Sequence, residues 1–301
     1  MTSSYFSVFK GSFPALPTPF LINQVQNTLD KKAFERLIAH HIKHGTHGLV
    51  PAGTTGESPT LSFDEHFEII KLAVDINDKT LPIIAGTGAN STLEAIEVTL
   101  EAQKIGVDAA LIVAPYYNKP TQEGIFQHFQ AIHNATNIPI FLYNVPGRTA
   151  SDITPETVAR LSALPRIIGI KEATGDVERI SYIRQLCGDD FIIFSGEDGS
   201  ALGAAAHGGR GCISVTANVA PALCAEFQNH LLNKDFNAAL KIQDTLYPLH
   251  KALFKQPNPV PAKTALSLLG IINDDVRLPL VKTTPDLTQE ISTILHNIGL
   301  L

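Results

Sequence analysis

Short apolar runs alternate with longer amphipathic segments from the amino terminus to about residue 230. Such alternation is the signature of repeated βα units, because a strand buried on both faces reads as a brief greasy run and a covering helix as a 3.6-residue stripe. It predicts strands at residues 12–17, 48–52, 82–85, 109–113, 139–143, 167–171, 191–195 and 212–215. Helical patterns fall between them at 31–44, 64–76, 91–105, 121–135, 155–163 and 176–186. Several have good starts: Ser62 precedes Glu65, Ser91 precedes Glu94, and Thr154 is followed by Pro155 at the first helical position.

Eight strands, each followed by a helix, predict a closed (β/α)8 TIM barrel of the α/β class rather than an open doubly wound sheet. The first strand carries no dinucleotide fingerprint. Past residue 230 the alternation stops, and three helical patterns follow at 236–254, 262–269 and 287–298. The division expected is therefore a catalytic barrel over 1–230 and a C-terminal helical appendage over 231–301, packing on the barrel or on a partner subunit.

The 301 residues are ample for a barrel, and a net charge of -6 without basic clusters leaves no footprint for nucleic acid or an anionic membrane. A small-molecule partner fits better. Cys187, Cys212 and Cys224 lack metal-ligand spacing and suit a reducing compartment. The first ten residues read as neither signal nor transit peptide, and no apolar run is long enough to span a bilayer, so a cytoplasmic protein is expected. His40, His41, His44 and His47 form the one candidate metal cluster, but no carboxylate completes it and it precedes a strand, at the barrel end away from the site. No metal is expected.

A barrel gathers the residues that follow its strands on one face. Lys171 ends the sixth run, and a lysine after an apolar strand is poised for imine chemistry if burial favours its neutral, nucleophilic form. A lysine reaching from a strand end into solvent is the plainer reading. The second strand leads into Gly53-Thr54-Thr55-Gly56-Glu57-Ser58, whose backbone amides and hydroxyls suit a small carboxylate without adding a fixed charge. Tyr116 and Tyr117 follow the fourth strand and Tyr143 ends the fifth; phenols can relay protons. Arg148, the one cation of its loop, offers a guanidinium fork to a carboxylate. Glu57 and Glu172 sit just after strands and could support these groups, cap or salt-bridge. Gly86-Thr87-Gly88-Ala89-Asn90 is too weak a signal for a nucleotide.

Together with Ala15-Leu16-Pro17-Thr18-Pro19-Phe20, the Tyr-Asn-Val-Pro-Gly-Arg-Thr segment at 143–149, Ile213-Ser214-Val215-Thr216-Ala217-Asn218 and Pro257-Asn258-Pro259, these motifs give a chain that resembles the dihydrodipicolinate synthase family nearly end to end. The resemblance implies a cofactor-free Schiff-base condensation of pyruvate with aspartate 4-semialdehyde, on the route to diaminopimelate and lysine. It implies that Lys171 forms the imine, that Tyr143 shuttles protons, and that Thr54 links Tyr143 to a Tyr117 entering from a neighbouring subunit. Thr55 would bind the pyruvate carboxylate, Arg148 the carboxylate of the semialdehyde, and Gly196 and Ile213 would line the pocket. A homotetramer of paired dimers is the implied assembly. Related barrels that split N-acetylneuraminate or keto-deoxy sugar acids share the lysine and the tyrosine; the resemblance favours the synthase because Thr54 and Arg148 are present. A non-catalytic pyruvate-responsive binding protein is a third reading, opposed by the complete hydroxyl relay. Ser58, His66, Asn90, Glu94 and Tyr116 match the family's inhibitory lysine site, whereas Pro59 and Phe63 depart from the alanine and histidine of inhibited members, so an altered sensitivity to lysine is expected.

Overall fold

A computed structural model describes residues 2–22 and 27–301. Seven parallel strands form one sheet in the order Gly11–Pro14, Gly211–Ser214, Ile192–Ser195, Ile167–Glu172, Ile140–Asn144, Ala109–Val113, Ile84–Gly86. The gap between the first and last of these is closed by residues 49 and 50, through parallel bridges from Val50 to Ala15 and from Leu49 to Ile83. The ring is therefore the expected eight-stranded barrel. Its second strand is shorter than the 48–52 run predicted: after Val50 the chain enters a turn, and Ala52 has a positive φ of 56°.

Two hydrophobic layers hold the barrel. Inside, Phe9, Phe13, Phe141, Ile192, Phe194 and Ile213 fill the lumen. Phe13 and Phe141 each meet Phe194 edge to face, with centroids 5.1 and 5.6 Å apart, the arrangement that the ring quadrupole favours. Glycine makes room for these rings: a Cβ on Gly48 would stand 2.0 Å from Phe13 and one on Gly169 2.6 Å from Phe141. Outside, Ile140, Leu142, Ile170 and Ile193 pack against the surrounding helices. The alternation along each strand is that of a two-residue period.

Helix starts follow the sequence signals. Ser62 and Glu65 form a reciprocal capping box on helix Phe63–Asn77, and Thr154 accepts from Thr157 N–H ahead of Pro155. The helix Thr2–Val8 and the hairpin Phe20–Ile22/Asn27–Leu29 were not expected; both are too short for a clear periodic signal. Beyond the barrel helix Pro221–Leu232 come Phe236–Ala252, Val260–Leu268 and Pro285–Asn297, close to the three late helices predicted. Their buried residues, among them Leu246, Leu266, Ile291 and Leu295, join the same core as the barrel's outer face. Among the described residues no helix is long and apolar enough to cross a membrane.

Candidate active site

The two-residue period that buries Phe141 and Gly169 carries Tyr143 and Lys171 to the inward face at the strand ends, where they are register partners. Both are buried, and Lys171 Nζ lies 4.2 Å from the centre of the Tyr143 ring. They line a cavity of about 570 Å³ at the mouth of the barrel, shared with Thr54, Thr55, Arg148 and Gly196. A Cβ on Gly196 would meet Lys171 Cε at 3.0 Å, so the absence of a side chain there opens the path that the lysine follows.

The next residue on each strand faces outward. Asn144 Nδ2 donates to the Glu172 carboxylate at 3.1 and 3.3 Å and to Asp152 at 2.8 Å. Arg179 Nε donates to Glu172 at 3.0 Å, and its terminal nitrogens grip Asp152. Glu172 is thus a structural partner behind Lys171 rather than a group in the cavity. The buried Glu172 carboxylate is satisfied by Asn144 and by the partly exposed Arg179, which also holds Asp152, and the network ties together the two strand ends that present Tyr143 and Lys171.

The turn at 53–58 is held differently, since its strand contributes only two bridged residues. Gly56 N–H and Glu57 N–H bond back to Gly53 and Thr54 carbonyls, and Thr18 Oγ1 donates to Gly56 O at 2.7 Å. Asn258 Nδ2 donates to Thr55 Oγ1 at 2.9 Å, which leaves the Thr55 hydroxyl proton available to a ligand. Glu57, buried with a left-handed φ of 54°, pairs with Lys263 and accepts from Arg277 N–H at 3.0 Å. Burial pulls the Lys263 ammonium down to about 8, with the Glu57 carboxylate working against that pull.

Arg148 sits on the short helix Pro146–Thr149 and lines the cavity from an exposed position. Ile213 is buried inside the barrel below the cavity, and Val215, two residues on, is the part of that segment that reaches the cavity wall. Tyr117 points away: it is 88% exposed, has a φ of 72°, and is not among the residues that line the cavity.

Sequence reasoning did not anticipate that His250, Lys251, Phe254, Lys255 and Asn258 form one wall of the cavity. Nor did it anticipate Lys263. A single charge in the apolar run 260–268 was the available signal, because such a residue needs a buried partner. Near the mouth, Asn90 Nδ2 donates to Tyr116 O at 3.2 Å, and Glu94 lies close enough that, after burial, its charge is the next cause raising the Tyr116 phenol. His66 bonds Gly86 O at 2.9 Å, while Ser58 belongs to the cavity wall. Among the described residues no group of three or more His, Cys, Asp or Glu is arranged to hold a metal. Of the histidines at 40–47, His41 bonds Thr46 Oγ1 locally, while His47 bonds the more distant Ser12 N–H and Asn229 Oδ1.

A family model described as the dihydrodipicolinate synthetase family matches residues 8–298. A 4-hydroxy-tetrahydrodipicolinate synthase of Parvibaculum lavamentivorans is 53% identical over 294 residues, covering 98% of this chain and 100% of its own length. The crystal structure of the dihydrodipicolinate synthase from Acinetobacter baumannii complexed with pyruvate superposes with a TM-score of 0.94 at 43% identity, covering 97% of this chain and 99% of that one. A structure of the enzyme from Cyanidioschyzon merolae with lysine bound gives a TM-score of 0.93 at 38% identity, covering 98% and 99%.

Proposed function

The chain belongs to the dihydrodipicolinate synthetase family, and from that premise we propose that Lys171 is the residue through which it carries out the family reaction. That reaction is the Schiff-base condensation of pyruvate with L-aspartate 4-semialdehyde, leading to diaminopimelate and lysine. The observation that carries the assignment is the packing of Lys171 Nζ against Tyr143 in the barrel-mouth cavity.

In this reading the Lys171 amine adds to the pyruvate ketone, and loss of water gives the imine. Loss of a methyl proton gives the enamine, whose carbon attacks the semialdehyde carbonyl; the aldehyde oxygen takes up a proton and becomes the 4-hydroxyl. The amine of the second substrate then adds to the imine carbon and expels Lys171, closing the six-membered ring. The lysine itself provides the electron sink, so no cofactor is called for. Tyr143, against the amine, is suited to move protons at the imine. Thr55, with its hydroxyl proton free, is suited to the pyruvate carboxylate, and Arg148 at the rim to the carboxylate of the semialdehyde. Gly196 and Ile213 would shape the pocket around the imine.

Thr54 would pass protons from Tyr143 to Tyr117 of a neighbouring subunit. The exposure of Tyr117, together with that of Leu93 and Phe63, supports a paired dimer, with a tetramer of two such pairs as the assembly. Ser58, His66, Asn90, Glu94 and Tyr116 are proposed as a lysine site of altered sensitivity, with Pro59 and Phe63 as its departures. The proposed setting is the cytoplasm.

Pyruvate followed by borohydride, with peptide mapping by mass, tests the reading. A reduced adduct on Lys171 is expected; an adduct on another residue, or none, would reject it.

A further inference from the structure

The turn at 53–58 lacks the ladder that holds the other site elements, and most of its side-chain anchors come from residues more than two hundred positions away. Lys263 reaches it from helix Val260–Leu268 with no exposure to solvent, and Glu57 is nearly as buried. Lys263 Nζ also donates to Asp275 O at 2.7 Å and lies 4.2 Å from the centre of the Phe20 ring, on which Arg277 stacks at 4.3 Å. Arg277 in turn holds Glu65 with both terminal nitrogens, at 2.7 and 2.6 Å, and Thr60 O at 2.8 Å. Both oxygens of the Glu57 carboxylate are thus held, Oε1 by Lys263 Nζ and Oε2 by Arg277 N–H, and each of those partners is itself anchored.

A buried ion pair is a poor source of net stability, since desolvation offsets most of its attraction, but it is intolerant of displacement because either charge left alone is costly. Such a pair is suited to fixing a position. Here it fixes Glu57 in a left-handed conformation that an ordinary side chain avoids, two residues after Thr55. We propose that Lys263, which touches no substrate, is a positioning residue for the pyruvate-carboxylate loop: its pairing with Glu57 sets the turn so that Thr55 faces the cavity. The C-terminal appendage is then a working part of the site, with Asn258 setting the polarity of the Thr55 hydroxyl and Lys263 setting its place. This rests on the assignment of Thr55 to the pyruvate carboxylate.

The full-length enzyme with Lys263→Met tests the proposal, with Glu57→Gln as a milder variant that keeps the side chain's shape. Leu295→Ala, a cavity in the same appendage that does not touch the turn, serves as the control for lost stability. Well below each melting temperature, Lys263→Met should raise the pyruvate KM about tenfold and Glu57→Gln about threefold. The semialdehyde KM should move less than about twofold, and Leu295→Ala should leave both KM values unchanged despite a lower Tm. If Lys263→Met does not fold, the Glu57→Gln result decides. An unchanged pyruvate KM in the variants, with wild-type enzyme still trapped on Lys171, overturns this inference alone. A wild-type enzyme that forms no Lys171 adduct overturns the functional assignment and this inference with it.

Discussion

Gly196 lies against the side chain of Lys171: a Cβ at that position would stand 3.0 Å from Lys171 Cε and 2.5 Å from the Ala173 Cβ. The second distance is shorter than real Cβ contacts allow, and because the Ala173 Cβ is tied to the backbone, the strain falls on Lys171 Cε, the far end of a flexible side chain that borders the cavity. Gly196→Ala is therefore expected to displace the lysine and slow imine formation by about tenfold to a hundredfold, since misplacement of a reacting group by about an ångström has that scale of effect. Rates of borohydride trapping with pyruvate provide the measurement. Trapping at the wild-type rate would mean that the lysine reaches its position by another path.

Tyr117 is 88% exposed in the single chain, so a role for it requires a second subunit. Mixing Lys171→Ala and Tyr117→Phe proteins under conditions of subunit exchange distinguishes the two geometries. Each homomer should be nearly inactive, and the mixture should recover about a quarter of wild-type activity, because half the dimers are mixed and each has one intact site. No recovery, with exchange confirmed by mass, would mean that Tyr117 acts within its own subunit, and an active Tyr117→Phe homomer would place it outside the relay.

Arg148 is exposed where it lines the cavity, whereas Lys171 and Tyr143 are buried in it. Arg148→Ala should lower kcat/KM for the semialdehyde by about a hundredfold, the scale of a lost charge-assisted pair, and change pyruvate trapping by less than about threefold. Equal damage to both steps would contradict a role confined to the second substrate.

Burial pushes His41 down from 6.5 to about 3, and His128, also by burial, to about 4. The folded values lie below the unfolded one. Below about pH 6.5 the unfolded chain therefore binds protons that the folded chain refuses, and stability falls as pH falls through that window. Each such histidine contributes a slope of about 1.4 kcal/mol per pH unit once it is fully protonated in the unfolded state. Denaturant midpoints between pH 7 and about 4.5 should show this loss, and His41→Gln should flatten the slope by about one proton. An identical slope in the variant would assign the acid sensitivity to other groups.

The barrel was legible because its strands are buried on both faces and its helices on one, which imprints two distinct periods on the sequence. Lys171, Tyr143, Thr54, Thr55 and Arg148 were legible for a related reason: in a barrel, the residue after a strand end belongs to the mouth whatever lies between it and the next strand. The wall formed by His250, Lys251, Phe254, Lys255 and Asn258 was not, since nothing in a helical period says which barrel end a later helix covers. The resemblance pointed to the 257–259 loop without giving it a partner.

By itself, then, the sequence determined the class of fold, the face on which the site residues gather and the amine proposed to act there. Those follow from local periodicity and from the order of strands along the chain. The tertiary structure alone decided that Gly196 clears a path for Lys171, that Asn258 orients Thr55, and that Lys263 meets Glu57 in a fully enclosed pair. Each is a contact between residues distant in sequence, the first set by two neighbouring barrel strands and the other two by how the appendage closes over the barrel; charge and polarity become specific only when desolvation leaves one partner within reach.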